Sequence, residues 1–273
     1  MRHHRNGVRG ASRSLEVPLS RTLPYPQQSL RQAPVRVRVV AEVLAVHDQH
    51  DETDQHDVPD HHGQPERFDE AFWNERYRSA AALWSGNPNR YLVSEASGLR
   101  PGAALDVGCG EGADALWLAG RGWQVTGVDL STVALERAAR HAAQAGAEIG
   151  ARIDWVHADL SSWDPGLARY DLVSSQYLHL PPAPREALFR ALAGAVAPGG
   201  SLLIVGHHPS DLQTTMPRPP MPELFFTGRD IAGLLDPGGW KVITDQAPRR
   251  SASDPDGRPV MIRDTVFRAR RGG

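Results

Sequence analysis

The chain has one cysteine, one lysine and no long apolar run. With Cys109 as the only cysteine among 273 residues, an intrachain disulfide framework and a cysteine-based zinc site are both excluded. No apolar stretch approaches the length that crosses a bilayer. The net charge of −2 creates no field that would attract nucleic acid or an anionic membrane. We therefore expect a cytoplasmic protein without nucleic-acid or membrane partners, and the composition predicts no particular oligomeric state.

Residues 1–65 differ in composition from the rest of the chain. Up to Arg38 they carry eight arginines and one acid, Glu16, and a run rich in His and Asp follows, whereas all seven tryptophans lie at Trp73 or later. Such a segment buries too little apolar surface to offset the entropy of ordering. We predict a disordered tail, or a true start further downstream. A metal site in the His/Asp run is disfavoured by irregular spacing, and a transit peptide by the prolines.

A folded domain is predicted over residues 66–273, beginning with helices in residues 66–98. Aromatic residues from Phe68 to Tyr77 recur at helical spacing. A second helix is expected next, with Asn87 as its cap and Pro88 in its first turn.

Strands then alternate with helices, which indicates a parallel sheet with right-handed crossovers. Asp254-Pro255-Asp256-Gly257 is typical of a turn and gives the last two strands hairpin character. The predicted strands are Ala103–Val107, Gln124–Val128, Arg152–His157, Asp171–Ser175, Ser201–Gly206, Lys241–Thr244 and Val260–Arg268.

The segment Asp106-Val107-Gly108-Cys109-Gly110-Glu111-Gly112 is the most informative motif in the chain. It reads as a strand end, a turn that lacks Cβ atoms at alternate positions, and the start of a helix at Ala113. Glycine allows a ligand to approach the backbone closely and tolerates positive φ, while the helix N-terminus supplies unpaired N–H groups. The motif therefore predicts a site for a nucleotide-like cofactor at the carboxyl ends of parallel strands.

In these residues the chain resembles the class I S-adenosylmethionine-dependent methyltransferases, over about Glu66 to Arg271. The glycine motif is joined by Val125-Thr126-Gly127-Val128-Asp129, by Ala158-Asp159 and by Ala197-Pro198-Gly199-Gly200, in the family's order and spacing. The segment 72–89, with its Trp, Tyr and Asn-Pro-Asn residues, also looks like small-molecule members akin to thiopurine and tellurite methyltransferases.

The resemblance implies an α/β fold with a Rossmann-like, doubly wound and mostly parallel seven-stranded sheet, helices on both faces and an antiparallel C-terminal strand. It implies S-adenosylmethionine as cofactor, with Asp106 on its ammonium, Asp129 on the ribose and Asp159 on the adenine amino group. The cofactor-binding residues predicted in this way are Trp84, Asp106, Gly108, Cys109, Gly110, Gly112, Asp129, Leu130, Asp159, Leu160 and Gln176.

Each acidic residue also has a structural interpretation. Asp106 could bond the N–H groups of its own turn, Asp129 could cap the next helix, and Asp159 could form a surface ion pair. We favour the cofactor roles because open α/β sheets bind ligands at this edge. For Cys109 we favour an inert, tightly packed thiol.

The acceptor of the methyl group is expected beside the fourth and fifth strands. The fourth strand ends in Ser174-Ser175-Gln176-Tyr177 where nucleic-acid amino-methyltransferases carry Asn/Asp-Pro-Pro-Tyr/Phe. This difference argues against a nucleic-acid substrate and favours a small-molecule acceptor of unknown S, O or N chemistry. His179 is the candidate general base, and packing is an equal alternative. His207 and His208 follow the fifth strand at the same rim. No spacing rule favours a zinc site among these three histidines, and we predict no metal.

The substrate-side segment is predicted to comprise residues 207–226, together with the N-terminal helices. Its apolar residues suit an adaptable pocket, although core packing is the alternative for at least one of them. Trp73 and Tyr77 are similarly ambiguous. The apolar residues of the segment are Met216, Met221, Leu224, Phe225 and Phe226.

Two other functions stay open at this point. Gly108, Gly110 and Ala113 satisfy a loose G-x-G-x-x-A pattern, so an NAD(P)-dependent oxidoreductase with a Rossmann domain is one alternative. A non-catalytic cofactor-binding module is the other, because fold alone does not establish activity.

Overall fold

The computed structural model describes residues 68–167, 169–219 and 221–273. The predicted disordered tail lies outside the described residues. Within them, two helices precede an alternating α/β unit, as the sequence pattern indicates.

The helices are α1 (Glu70–Arg78), α2 (Arg90–Ala96), α3 (Ala113–Gly120), α4 (Thr132–Ala145), α5 (Ala147–Gly150), α6 (Pro182–Ala195) and α7 (Gly228–Ala232). The strands are β1 (Ala103–Val107), β2 (Gln124–Asp129), β3 (Ile153–His157), β4 (Tyr170–Gln176), β5 (Val196–His207), β6 (Trp240–Gln246), β7 (Arg249–Ser253) and β8 (Pro259–Arg271). Two short 3₁₀ turns, Pro209–Gln213 and Pro222–Leu224, follow β5.

The central sheet has the strand order β3-β2-β1-β4-β5-β8-β6, and β7 pairs with β8 beside this path. The first five strands are parallel to one another, whereas β8 runs antiparallel to β5, β6 and β7. The predicted doubly wound sheet with an antiparallel C-terminal strand is confirmed. The expected count of seven strands is wrong, because the structure has an additional strand, β7. The predicted turn at residues 254–257 connects β7 to β8, whereas the sequence pattern predicted that it follows the strand that corresponds to β6.

Helices cover both faces of the sheet and bury two apolar clusters. Leu188, Phe189 and Leu192 of α6 pack on one face, and Leu92 of α2 and Leu118 of α3 pack on the other. Trp123, which precedes β2, is 1% exposed. The sheet is thus held between two apolar layers, and its carboxyl edge is the place where the loops carry polar side chains.

The start of α2 differs from its prediction. Asn89, not Asn87, is the N-cap, and its side-chain oxygen accepts a 2.8 Å hydrogen bond from the Tyr91 N–H. Arg90 therefore begins the helix, and Pro88 lies ahead of it rather than in its first turn.

Candidate active site

The glycine motif forms a tight loop between β1 and α3. Gly108, Gly110 and Gly112 have φ values of 71°, 52° and 84°, a region that side chains with a Cβ rarely adopt. The N–H groups of Gly108 and Cys109 both donate to the Val128 carbonyl, at 2.8 and 3.0 Å. The loop is therefore fixed to the end of β2 before it enters α3.

The three glycines face different surroundings. A Cβ on Gly112 would lie 2.7 Å from the Trp155 ring and 2.9 Å from the Ala138 Cβ, so this position is closed by packing. A Cβ on Gly110 would lie 2.9 Å from the Tyr77 hydroxyl, close to Trp84. Gly108 would approach only Leu178, at 3.3 Å. Gly108 therefore lines the open side of the loop, where a cofactor is predicted, whereas Gly110 is covered by Tyr77 and Trp84.

Asp106 ends the buried part of β1 and is 1% exposed. Its Oδ2 atom is buried and has no hydrogen-bond partner among the described residues. Burial raises the pKa of this carboxyl well above its usual range, and the nearby Asp114 and Asp129 raise it further. A buried carboxylate oxygen without a donor is costly, and the ammonium of an amino-acid moiety would satisfy it.

Asp129 ends β2, and both of its carboxylate oxygens accept backbone hydrogen bonds. The N–H groups of Gly110 and Ser131 each donate at 2.8 Å. Burial raises the pKa of Asp129, although these donors oppose the shift. Ser131 itself caps α4 by accepting from the Ala134 N–H, so Asp129 does not act as the cap. Its carboxylate connects the glycine loop to β2, and its contact with a ribose stays a prediction.

Asp159 and its neighbour Leu160 are oriented differently. Asp159 is exposed, and its Oδ1 accepts from the N–H and hydroxyl of Ser161 at 2.9 and 2.7 Å, which is a local turn rather than an ion pair. Leu160 is 5% exposed and packs in the core. Leu130 is half-buried, and its carbonyl contacts His157 Nε2 at 2.9 Å. The predicted contacts of these residues with adenine are not tested by this arrangement.

Cys109 and Gln176 both lie at the carboxyl edge, but they differ in whether their side chains are available to a ligand. Cys109 is buried, and burial raises the pKa of its thiol well above the usual range, which agrees with an unreactive packing role. Gln176 donates to Ser174 Oγ at 2.7 Å. Its Oε1 atom is buried without a partner among the described residues, so the amide oxygen remains available to a ligand.

The N-terminal segment covers the glycine loop through contacts that the sequence pattern did not reveal. Trp84 donates from its indole nitrogen to the Tyr77 hydroxyl at 3.1 Å. Glu111, 7% exposed, forms a 2.8 Å ion pair with Arg137 and accepts from the Trp84 N–H. Arg137 also donates to the Ala80 carbonyl at 2.8 Å. Glu111 lies inside the predicted motif, but its partner is 26 residues away in sequence.

A recess opens on the other side of the carboxyl edge, between the ends of β4 and β5. It is shallow and partly open to solvent, and the space enclosed within it is about 10 Å³. Of the predicted substrate-side residues, Leu224, Phe225 and Phe226 line it, whereas Met216 and Met221 do not. The lining residues are Tyr177, Leu178, His179, Gly206, His207, Leu224, Phe225 and Phe226.

The backbone is strained where β4 enters this recess. Tyr177 has a φ of 51° and is the only non-glycine residue with positive φ in the described part of the chain. Such strain is usually stored at functional sites. The turn brings the Tyr177 ring to 4.8 Å from the His207 ring, centroid to centroid. No sequence signal predicts this conformation for a tyrosine.

The three rim histidines have separate environments. His179 lies 5.7 Å from His207 and 5.9 Å from Phe68, ring to ring. His208 turns away, because its Nδ1 contacts Ser210 at the start of a 3₁₀ turn. The zinc alternative therefore lacks a converging set, and nowhere in residues 68–167, 169–219 and 221–273 do three His, Cys, Asp or Glu side chains form a metal cluster.

His207 is the histidine that has a buried acid beside it. Its Nδ1 lies 3.9 Å from Oδ1 of Asp264, its cross-strand partner on β8. Asp264 is 0% exposed and accepts from Arg250 Nε at 2.6 Å and from the Tyr91 hydroxyl at 3.0 Å. Burial favours the neutral carboxyl, but His207 and Arg250 outweigh it and lower the pKa of Asp264 to about 2.

Both recess histidines are neutral at pH 7. Burial is the main cause that lowers the pKa of His179 to about 4, and Arg218, Arg76 and the protonated form of His207 act in the same direction. Burial also lowers the pKa of His207, but Asp264 opposes that shift. An imidazole without a proton on one nitrogen can accept one from a bound ligand, and the predicted role of His179 as a general base is not tested by these distances.

Comparisons with known proteins match this architecture. Residues 104–200 match a family model described as a methyltransferase domain. A ubiquinone biosynthesis O-methyltransferase from Alkalilimnicola ehrlichii is 35% identical over 142 residues, which cover 50% of this chain and 56% of the relative. The chain spans about half the length of the curated relatives it matches.

Two solved structures share the fold. One, from work on the conversion of a disulfide bond into a thioacetal group during echinomycin biosynthesis, has a TM-score of 0.58 and 25% identity, and covers 74% of this chain and 92% of its own. Magnesium protoporphyrin IX methyltransferase from Synechocystis PCC 6803, solved with bound S-adenosylhomocysteine, has a TM-score of 0.50 and 23% identity, and covers 67% and 80%. The second likeness is one of fold alone.

Proposed function

Because the chain carries a class I S-adenosylmethionine-dependent methyltransferase domain, we propose that it transfers the methyl group of S-adenosylmethionine to a small-molecule nucleophile. The buried Oδ2 of Asp106, which has no donor among the described residues, is the observation that supports the proposal most directly. It lies at the carboxyl end of β1 beside a loop in which Gly108 leaves the backbone open.

Different residues of the chain would bind different parts of the cofactor. Asp106 would hold the ammonium, and the open face of Gly108 would accept the methionine moiety. Asp129 would accept the ribose hydroxyls with the lone pairs that its two backbone donors leave free. Tyr77 and Trp84 would close the site above Gly110, which excludes water from the reacting atoms.

When bound, the cofactor supplies a sulfonium-activated methyl group, so the protein needs mainly to align and desolvate the two reactants. Gln176 and Leu178 lie between the glycine loop and the recess, and the Leu178 side chain approaches Gly108. The acceptor would therefore enter from the recess, while the cofactor lies along the loop.

The names of the similar proteins suggest which elements to test first as the methyl acceptor. The Alkalilimnicola relative is named for an O-methyl transfer, and the echinomycin-related structure concerns a sulfur-based conversion. Oxygen and sulfur acceptors are therefore the first to screen. The apolar recess and the backbone turn at the end of β4 favour a small molecule over a nucleic acid.

Isothermal titration tests the cofactor part of the proposal. We expect S-adenosylmethionine and S-adenosylhomocysteine to bind and NAD not to bind. Replacing Asp106 by Asn keeps the shape and removes the charge, and should weaken binding by about 1–3 kcal/mol. Asp256→Asn, an exposed turn residue paired with Arg258, is the matched control and should leave affinity unchanged.

Turnover is tested by release of S-adenosylhomocysteine with a panel of phenols, thiols and amines. Cofactor binding without turnover on any acceptor would favour the non-catalytic module, and tight NAD binding would favour the oxidoreductase. No helix in the described part of the chain is long and apolar enough to cross a membrane. A cytoplasmic location stays a prediction, which cell fractionation would test.

A further inference from the structure

The recess contains a histidine and acid pair that cofactor binding does not use. His207 on β5 and Asp264 on β8 face each other across an antiparallel pair, with 3.9 Å between Nδ1 and Oδ1. The Nδ1 atom of His207 is buried and has no hydrogen-bond partner among the described residues. The Asp264 carboxylate is fully buried and held by Arg250 and Tyr91.

We propose that His207 accepts the proton of a hydroxyl group on an aromatic acceptor. Asp264 is the positioning residue, which orients the imidazole of His207 and stabilises its protonated form in this step. The proposal rests on the proposed methyltransferase function and names its acceptor class and its base. The base is then not His179, the residue that sequence reasoning favoured.

Electrostatics separates the two histidines. The charged and titratable groups that act on His179 are His207, Arg218 and Arg76, and all of them disfavour a second positive charge. His207 faces Asp264 on β8 and, more distantly, Asp211 in the segment after β5, while Arg218 from the same segment opposes them. Asp264 and Asp211 therefore oppose part of the pKa shift at His207, whereas no acid does so at His179.

The remaining groups around His207 do not reverse this balance. The rings of Tyr177, His179 and Phe225 lie 4.8, 5.7 and 6.2 Å from its ring. Burial keeps the Tyr177 hydroxyl neutral by raising its pKa. Arg218 is paired with Asp211 at 2.7 Å, and Arg250 is paired with Asp264. Arg250 also reaches the Oδ1 atom that faces His207, with 3.4 Å between Nη2 and Oδ1, so Asp264 acts on His207 as one member of an ion pair.

The tautomer follows from the same geometry. A carboxylate beside Nδ1 favours the form that carries its hydrogen there, which leaves the lone pair on Nε2 at the opposite edge of the ring. The acceptor proton moves to Nε2, the O–H electron pair becomes the new O–C bond, and the C–S bond breaks with its electrons retained by sulfur. The resulting imidazolium is stabilised by Asp264, and its proton returns to solvent.

The acceptor class follows from the walls and from the need for a base. The rings of Tyr177 and Phe225 pack beside His207 in the lining of the recess, and an acceptor with an aromatic ring suits such an apolar lining. A phenolic hydroxyl with an ordinary pKa near 10 is un-ionised at neutral pH, whereas a thiol with a pKa near 8.5 is partly ionised. A buried neutral imidazole is therefore useful for the first and largely superfluous for the second.

Binding of 4-nitrophenol tests the proton acceptor without turnover, because its neutral and ionised forms absorb at different wavelengths. With S-adenosylhomocysteine present, we expect a larger ionised fraction of the bound phenol in the wild-type protein than in His207→Gln at the same pH. His179→Gln and the control His208→Ala should keep the wild-type fraction. Loss in His179→Gln but not in His207→Gln would overturn the assignment.

Turnover with substituted phenols provides the second test. His207→Gln should lower kcat by about 100-fold or more for unactivated phenols. The loss should shrink for phenols acidic enough to be ionised already, with KM little changed. An equal loss over the whole series would mean that His207 only shapes the pocket. A wild-type protein that methylates thiols but no phenol would refute the acceptor class.

The pH profile tests Asp264. The wild-type rate should fall in acid with an apparent pKa below the ordinary value of about 6.5, as His207 becomes protonated. Asp264→Asn should move this fall to lower pH, because the carboxylate raises the pKa of His207. Arg250→Met should move it to higher pH and remains informative if Asp264→Asn does not fold. Shifts in the same direction, or none, would contradict the positioning role.

Failure of this inference can be told from failure of the proposed function. If the wild-type protein binds S-adenosylhomocysteine and methylates a phenol, the proposed function stands whatever His207→Gln does. If it binds neither S-adenosylmethionine nor S-adenosylhomocysteine, the function itself is wrong, and the role of His207 falls with it.

Discussion

At the scale of single residues, the cofactor side is notable for its buried negative charge. Asp114 and Asp129 lie close enough to Asp106 to raise the pKa of its carboxyl, beyond the larger effect of burial. Burial raises the pKa of Asp114 to about 6, although the Asn89 N–H, which donates to it, opposes the shift. Such a cluster is costly when ionised and empty, and a positively charged ligand offsets part of that cost.

We therefore predict opposite pH trends for the free and the bound protein. Because the folded pKa values are raised, the acids stabilise the free protein below their unfolded pKa, and this contribution is lost as pH rises through about 6. The ammonium of S-adenosylhomocysteine needs the ionised form of Asp106. The melting temperature of the free protein should thus fall between pH 5 and 7, while the increase caused by S-adenosylhomocysteine grows.

Differential scanning fluorimetry across that pH range measures both trends. Asp114→Asn should flatten the trend of the free protein. A ligand-induced increase that stays constant from pH 5 to 7 would show that the cluster does not govern cofactor binding.

Gly127 on β2 is required by packing. A Cβ there would lie 2.6 Å from the Trp155 ring and 3.3 Å from the sulfur of Cys109. Gly127→Ala should cost about 1–3 kcal/mol of unfolding free energy, as overpacking does in other cores. Gly98→Ala is the matched control, because nothing lies within 4 Å of that position and its φ is not positive. Chemical denaturation of both variants checks this, and equal stabilities would contradict it.

At the scale of elements, α1 and the segment after it form a cover that polar contacts attach to the domain. Asn74 of α1 accepts from the Ser131 hydroxyl at 2.7 Å, which joins α1 to the start of α4. Arg137 of α4 binds both Glu111 and the Ala80 carbonyl. These polar contacts therefore fix the cover to α4 and to the glycine loop.

Arg137→Met should loosen this cover. Removing the cation leaves the buried Glu111 without its ion-pair partner, a loss of about 3 kcal/mol in comparable pairs. We expect faster dissociation of S-adenosylhomocysteine and faster proteolysis within residues 79–89. Arg190→Met, at an exposed pair with Glu186, should change stability by less than about 1 kcal/mol. Proteolysis and dissociation rates equal to wild type would contradict the role of Arg137.

The elements that the sequence predicts best are those fixed by local pattern. β1 was predicted with its observed bounds, because a buried run ends at a glycine-rich turn. β7 was missed, because its alternation of arginine, serine and alanine (Arg249–Ser253) has no apolar periodicity and depends on pairing with β8. The cap of α2 was placed two residues early, since both Asn87 and Asn89 are suitable cap residues and only the tertiary contact of the Asn89 N–H with Asp114 selects between them.

At the scale of the whole molecule, the two sides of the carboxyl edge come from different parts of the chain. The predicted cofactor residues run from Trp84 to Gln176, largely inside the region that matches the methyltransferase family model. His207 and Asp264 lie beyond it. Family motifs therefore predict residues for the cofactor side, and those contacts stay predictions, whereas the pairing of His207 with Asp264 depends on the long-range register of β5 and β8, which no motif encodes.

The described fold builds its sheet and both apolar clusters from residues 68–273. Deleting residues 1–64 should consequently leave the melting temperature and the affinity for S-adenosylhomocysteine unchanged. Comparing the full chain with the shortened one by calorimetry measures both quantities. A large decrease in either would mean that the N-terminal segment contributes to folding or to the site.

The pairing of β5 with β8 has an evolutionary consequence. In evolution, the residues that bind S-adenosylmethionine could be retained while the segment from β5 to β8 changes. The enzyme would then act on new acceptors with the same cofactor. Enzymes descended from one ancestor would then differ far more in the acceptor that they methylate than in how they bind the methyl donor. Grafting the segment from β5 to β8 onto a related methyltransferase should accordingly transfer the acceptor specificity of this chain.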